Sequence, residues 1–260
     1  MDNMFEKIKV KKVVLFYILA IILTFLLLEI PIIDNIYLKD KYVAEIMLNI
    51  ILLVFVSLLV FRGNNAMKND LVSCIKEISY KKIARLYLLN IGLYIGVGLI
   101  LLVGTHVTAT GLTLSYLIFG VTTAPIVEEL FFRGVLLNKL TFKTGIRLAI
   151  LISATIFAIV HFDLNFIGRF FMGVLSALLY IETKNIVNCI IFHMLHNFSI
   201  FIFVVLSQYV YIPMSNSDGT AQPLVVVVVF ASIIISIVMN IKYIKYNLPK
   251  KKKLIIIDEL

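Results

Sequence analysis

Four polar side chains stand in apolar segments where chemistry would otherwise be out of place: Glu128 in PIVEELFFR, His161 in FAIVH, and His193 and Asn197 in HMLHN. An ionisable group inside a membrane span costs at least about 2.5 kcal/mol on insertion scales, so such groups persist where they pair, line a cavity or perform chemistry. A carboxylate with two imidazoles can activate water, ligate zinc or relay protons, and a side-chain amide can donate hydrogen bonds to a developing negative charge. Taken singly, a histidine or asparagine in a span is more often interhelical hydrogen-bond glue. One carboxylate, two histidines and an asparagine on three separate segments form a set that packing alone rarely needs.

Helix geometry sorts these residues. Positions four apart stack on one face, whereas neighbours diverge by about 100°. Glu129 and Arg133 are therefore expected to pair along their own helix, neutralising the arginine and leaving Glu128 directed elsewhere. His193 and Asn197 share a face, with His196 near its edge, and Phe157 stacks one turn before His161.

The elements that must position this set are membrane helices. The 260 residues are 61% hydrophobic and only 15% charged, more apolar side chain than a soluble domain of this size buries. The expected fold is all-α: a polytopic bundle of about eight transmembrane helices, with residues 1–260 as one domain and residues 114–199 as its functional core. The spans are read at Val13 to Ile33, Val43 to Phe61, Leu86 to Val103, Leu114 to Leu137, Ile146 to Phe162, Phe166 to Ile181, Ile186 to Val210 and Leu224 to Ile241. The first follows a basic start, is too long for a cleaved signal peptide, lacks a small-residue cleavage site and is read as a retained anchor.

Charge sets the expected orientation. With both termini cytoplasmic, all but four of the 24 Lys and Arg lie inside; Lys39, Lys41 and Arg169 fall outside and Arg133 lies within a span. The net charge of +9 is spread in short clusters between apolar runs, which argues against nucleic acid. The basic stretch from Arg62 to Arg85 fits either a helix on the inner leaflet or a solvated loop. The connections Gly104 to Thr113 and Tyr211 to Pro223 read as plain outer loops. Cys74 and Cys189 show neither a CxxC spacing nor a disulfide framework.

Glu-Glu-x3-Arg (Glu128, Glu129, Arg133), Phe-x3-His (Phe157, His161) and His-x3-Asn (His193, Asn197), in that order and each on its own span, resemble the three motifs of the CPBP (CAAX protease and bacteriocin-processing) intramembrane peptidases, also called the Abi family. The resemblance covers roughly Leu114 to Ser199. It implies an intramembrane endopeptidase in which Glu128 is the general base, His161 holds the same water, and His193 and Asn197 donate to the oxyanion. Glu129, Arg133 and Phe157 would support them. His196 is an addition on which the resemblance is silent.

No cofactor is favoured. Zinc held by Glu128, His161 and His193, with water in the fourth position, is the alternative, although no HExxH pair is present. Cys189, one turn before His193, reads as a small buried apolar side chain rather than a nucleophile. By the same resemblance the expected partner is a membrane-associated protein or peptide cut near the inner leaflet of a bacterial cytoplasmic membrane, in CAAX-type processing or in bacteriocin immunity or peptide-pheromone maturation. The competing classes are a non-enzymatic immunity or regulatory protein that binds a peptide or sensor kinase, and an ion or proton transporter.

Overall fold

The structure is a computed structural model that describes residues 10–40, 42–61, 72–104, 117–161, 166–207, 209–210 and 223–249. The connections read at 105–113 and 211–222, the basic residues at 62–71, Lys7, Lys9, Lys41 and the lysines at 250–253 lie outside the described residues. Every regular element among the described residues is helical. Among the described residues four helices are long and apolar enough to cross a membrane, or five when one bent pair counts as a single span. The protein is thus a multi-pass membrane protein.

Helix α1 (Val10–Leu28) ends where Pro31 intervenes, and α2 (Pro31–Lys39) starts afresh on that proline. Ile30 before it is extended (φ −78°, ψ 120°), as the proline ring demands of its predecessor. The span expected from Val13 to Ile33 is therefore broken. Asp40 then accepts from the backbone N–H of Tyr42 at 3.0 Å and starts α3 (Tyr42–Phe61).

The third expected span is bent by 50° between α4 (Tyr80–Leu89) and α5 (Ile91–Gly104). Asn90 sits at the bend, donating back to the Leu86 carbonyl at 2.9 Å, while the Leu89 carbonyl accepts from Ser236 Oγ at 2.6 Å. Asn240 Nδ2 donates to Asn90 Oδ1 at 3.2 Å, so polar groups of the last helix satisfy what the bend exposes. A Cβ on Gly92 would come within 2.3 Å of the Ser232 carbonyl, so only glycine allows this close crossing.

Helix α6 (117–144) carries two π-wound stretches, Leu117–Thr123 and Leu130–Leu137, flanking the ordinary turn that holds Glu128 and Glu129. π-winding shifts backbone bonds out of the i→i−4 register and is frequent at functional sites. Asn138 Nδ2 donates to the carbonyls of Gly134 (2.6 Å) and Arg133 (3.2 Å) at the end of the second stretch. Gly145 (φ 76°) makes the turn into α7 (Ile146–Ile159), a left-handed conformation that glycine alone enters at no steric cost.

Helices α8 (Phe166–Thr183) and α9 (Ile186–Leu206) complete the core, and α10 (Pro223–Asn247) closes the bundle. Asn185 caps α9 by accepting from the N–H groups of Val187 and Asn188. The main apolar cluster joins α6 through α9, with Phe132, Ile150, Phe157, Met172, Leu175 and Phe192 among its members. Helix α8 runs through the centre: 61% of its span is buried, against 17% for α1 and for α10.

Candidate functional site

Glu129 and Arg133 form the buried base of the site. Both are fully inaccessible, and Arg133 Nη1 lies 3.1 Å from Glu129 Oε1 one turn away, the i, i+4 spacing realised as an ion pair. Arg133 Nη2 donates to the Gly173 carbonyl at 3.1 Å, and its guanidinium carbon stands 4.8 Å from the centre of the Phe157 ring. Ser176 Oγ donates to Glu129 Oε2 at 2.7 Å. Gly173 and Ser176 are three apart and present one face of α8 to this base. Apolar helices commonly carry single serines, so Ser176 gave no signal in the sequence.

His193 bridges the two adjacent carboxylates. Its Nδ1 donates to Glu129 Oε1 at 2.9 Å, and its Nε2 lies 3.8 Å from Glu128 Oε2. His161 is set in the same way: Nδ1 donates to the Phe157 carbonyl at 2.6 Å, and Nε2 stands 3.6 Å from Glu128 Oε2. Acceptors thus hold both Nδ1 protons, and a neutral imidazole of either residue turns an unprotonated Nε2 toward one carboxylate oxygen. Helix α7 stops at Ile159, so His161 lies in the turn beyond it and not inside a span reaching Phe162. That shorter helix brings His161 to the depth of Glu128. The Phe157 ring packs edge-on against both His161 (4.8 Å) and His193 (5.7 Å) and fixes their planes.

Glu128 Oε2 is buried and has no hydrogen-bond partner among the described residues. When both imidazoles are neutral, two imidazole nitrogens and a carboxylate oxygen face one point as acceptors, an arrangement completed by a guest that brings protons, such as water. Their donor chemistry is also that of a zinc centre. As placed, however, no three His, Cys, Asp or Glu side chains among the described residues are arranged to hold a metal ion.

A cavity of about 410 Å³ opens beside Glu128 and His161. Helix α1 lends it Val14, Tyr17 and Ile18; α6 adds Phe131 and Phe132, and Val160 stands at the end of α7. Neither His193 nor Asn197 lines it. Asn197 instead donates from Nδ2 to the Gly120 carbonyl at 2.7 Å, in the first π-wound stretch of α6. Of the four polar residues, Glu128 and His161 thus line the cavity, His193 lies behind it and Asn197 is tied to the α6 backbone. His196 faces α5, its Nδ1 3.2 Å from Tyr94 Oη.

Comparison with known proteins finds similarity over the motif-bearing segment. Residues 110–199 match the family described as type II CAAX prenyl endopeptidase Rce1-like. The chain is 36% identical over 99 residues to the membrane-embedded CAAX protease MroQ of Staphylococcus aureus (strain USA300), covering 35% of this chain and 40% of that protein. It is 41% identical over 85 residues to the putative membrane peptidase YdiL of Bacillus subtilis (strain 168), covering 32% of this chain and 33% of that one. The matches thus span two fifths or less of these curated relatives. No solved structure matches the chain. Over residues 110–199 the motif-bearing segment, with all three motifs in order, is thus similar to the CAAX-type membrane peptidases.

Proposed function

We propose that the protein is an intramembrane endopeptidase that hydrolyses a membrane-associated protein or peptide with a water activated by Glu128. The observation that carries this reading is the convergence of His161 Nε2 and His193 Nε2 on Glu128 Oε2, at 3.6 and 3.8 Å, beside an apolar cavity. Water bound there donates to Glu128 and is oriented by His161. Glu128 takes its proton as the water oxygen attacks the scissile carbonyl carbon. The tetrahedral oxyanion needs donors, and His193 supplies one from a protonated Nε2. To be the second donor, Asn197, one turn along α9 from His193, would use the amide hydrogen that it does not give to the Gly120 carbonyl. Glu128 then returns the proton to the leaving nitrogen as the carbon–nitrogen bond breaks, leaving a carboxylate and an amine.

In this reading the bundle has eight spans with both termini cytoplasmic, following the Lys and Arg distribution, and the substrate is cut near the inner leaflet. The test is purified full-length protein in lipid nanodiscs with peptide substrates. Glu128→Gln should lower cleavage by about 10²–10⁴-fold, the share a general base contributes, while the protein still folds. Equal cleavage by the variant would overturn the assignment. A parallel reaction with a chelator separates the two ways of activating water: activity that persists supports the metal-free route, and activity lost and then restored by Zn²⁺ replaces it with a zinc route.

A further inference from the structure

The cavity beside Glu128 has one wall that lies outside the family match. Val14, Tyr17 and Ile18 belong to α1, whereas the matched segment begins at residue 110. Val14 and Ile18 are four apart and stand side by side on one face of that helix. Tyr17 meets the Phe131 ring edge-on at 5.9 Å, so a contact across the cavity joins this face to the Glu128 helix. A small apolar cluster of Ala20, Leu52 and Val127 holds α1 in register with the residue immediately before Glu128. The position of the wall relative to the carboxylate is therefore set by packing.

We propose that this pocket receives a bulky apolar side chain of the substrate residue next to the scissile bond, and that α1, through Val14 and Ile18, sets the size it accepts. The inference rests on the peptidase reading above and gives it a specificity. A peptide bond brought to Glu128 and His161 leaves its flanking side chain facing aliphatic and aromatic walls. Beyond Glu128 and His161, a charged or amide side chain would lose its hydration and meet Tyr17 as the one polar side chain in the lining. The volume of about 410 Å³ lies near the lower end of the range of about 300–1,000 Å³ for small-ligand pockets. That is room for one large side chain with its backbone, not for a folded element.

The experiment has two arms. In the first, full-length protein in nanodiscs is given a mixture of membrane-protein peptides, and its cleavage sites are read by mass spectrometry. Leu, Ile, Met and Phe should be enriched at one position flanking the cut. The double change Val14→Phe with Ile18→Phe should move the large-to-small ratio at that position toward Ala, Ser and Val by about tenfold or more, the discrimination one methylene commands in an apolar pocket. An unshifted ratio in a double variant that still cleaves overturns the inference and leaves the peptidase reading standing.

The second arm needs no turnover and decides the case in which nothing is cut. Glu128→Gln protein in phosphatidylcholine and phosphatidylglycerol vesicles is mixed with a Leu/Ala peptide of about 20 residues, long enough to span the bilayer, carrying one benzoylphenylalanine. Photo-adducts on residues 14–18 are expected. Adducts confined to other helices, or none at all, overturn the α1 pocket. Adducts there without cleavage by the wild type would keep the pocket and end the peptidase reading.

Discussion

Glu128 and Glu129 are neighbours in the chain and opposites in their surroundings. Both oxygens of Glu129 are engaged, Oε1 by Arg133 and His193 and Oε2 by Ser176, and the side chain is fully buried. Glu128 has 22% of its side chain exposed and faces a cavity, and its Oε2 has two imidazole nitrogens near it but beyond hydrogen-bonding distance. About 100° of helix rotation separates a carboxylate committed to structure from one held for a guest. The difference teaches that saturation, rather than burial, marks the structural member of such a pair: a group whose lone pairs are all engaged has nothing left with which to take a proton from water.

The comparison can be broken at four points, in order of expected effect. Glu128→Gln should lose about 10²–10⁴-fold in cleavage with its thermal unfolding in nanodiscs unchanged; a large loss of stability would mean that Glu128, too, is structural. Arg133→Met should leave Glu129 as a buried, uncompensated charge and destabilise the fold by about 3–5 kcal/mol, read as early unfolding and low yield from membranes. Ser176→Ala takes one donor from Glu129 Oε2 and should cost about 1–3 kcal/mol, with cleavage falling only in proportion to folded protein. Ser236→Ala, far from both carboxylates at the bend between α4 and α5, should cost about 1 kcal/mol and leave cleavage alone. If Ser176→Ala instead reduced turnover at full stability, the line between the two carboxylates would shift, because Glu129 would then act on the reaction through His193.

Local spacing made part of this legible. The Glu129–Arg133 pair and the stacking of Phe157 on His161 are one-turn relations within or just beyond a helix, and helix geometry dictates them wherever the bundle places that helix. Pro31 was a local signal too, and the hydropathy of the run from Val13 to Ile33 masked it. The bend at Asn90 was not legible, since an asparagine in an apolar run serves equally well as a tie between helices; its role depends on Ser236 and Asn240, about 150 residues on. The side-chain partner of Asn197 was likewise out of reach, because the Gly120 carbonyl becomes an acceptor through the π-winding of α6.

By its sequence alone the chain is committed to lipid, to helices and to three polar motifs in a fixed order, because hydropathy and one-turn spacing are properties of the local chain. Tertiary structure decided which nitrogen of each histidine meets which carboxylate, that Ser176 completes Glu129, and that α1 forms a wall of the Glu128 cavity. Those outcomes depend on how helices distant in sequence cross and at what depth each one ends. No periodicity along a single strand of sequence records either quantity.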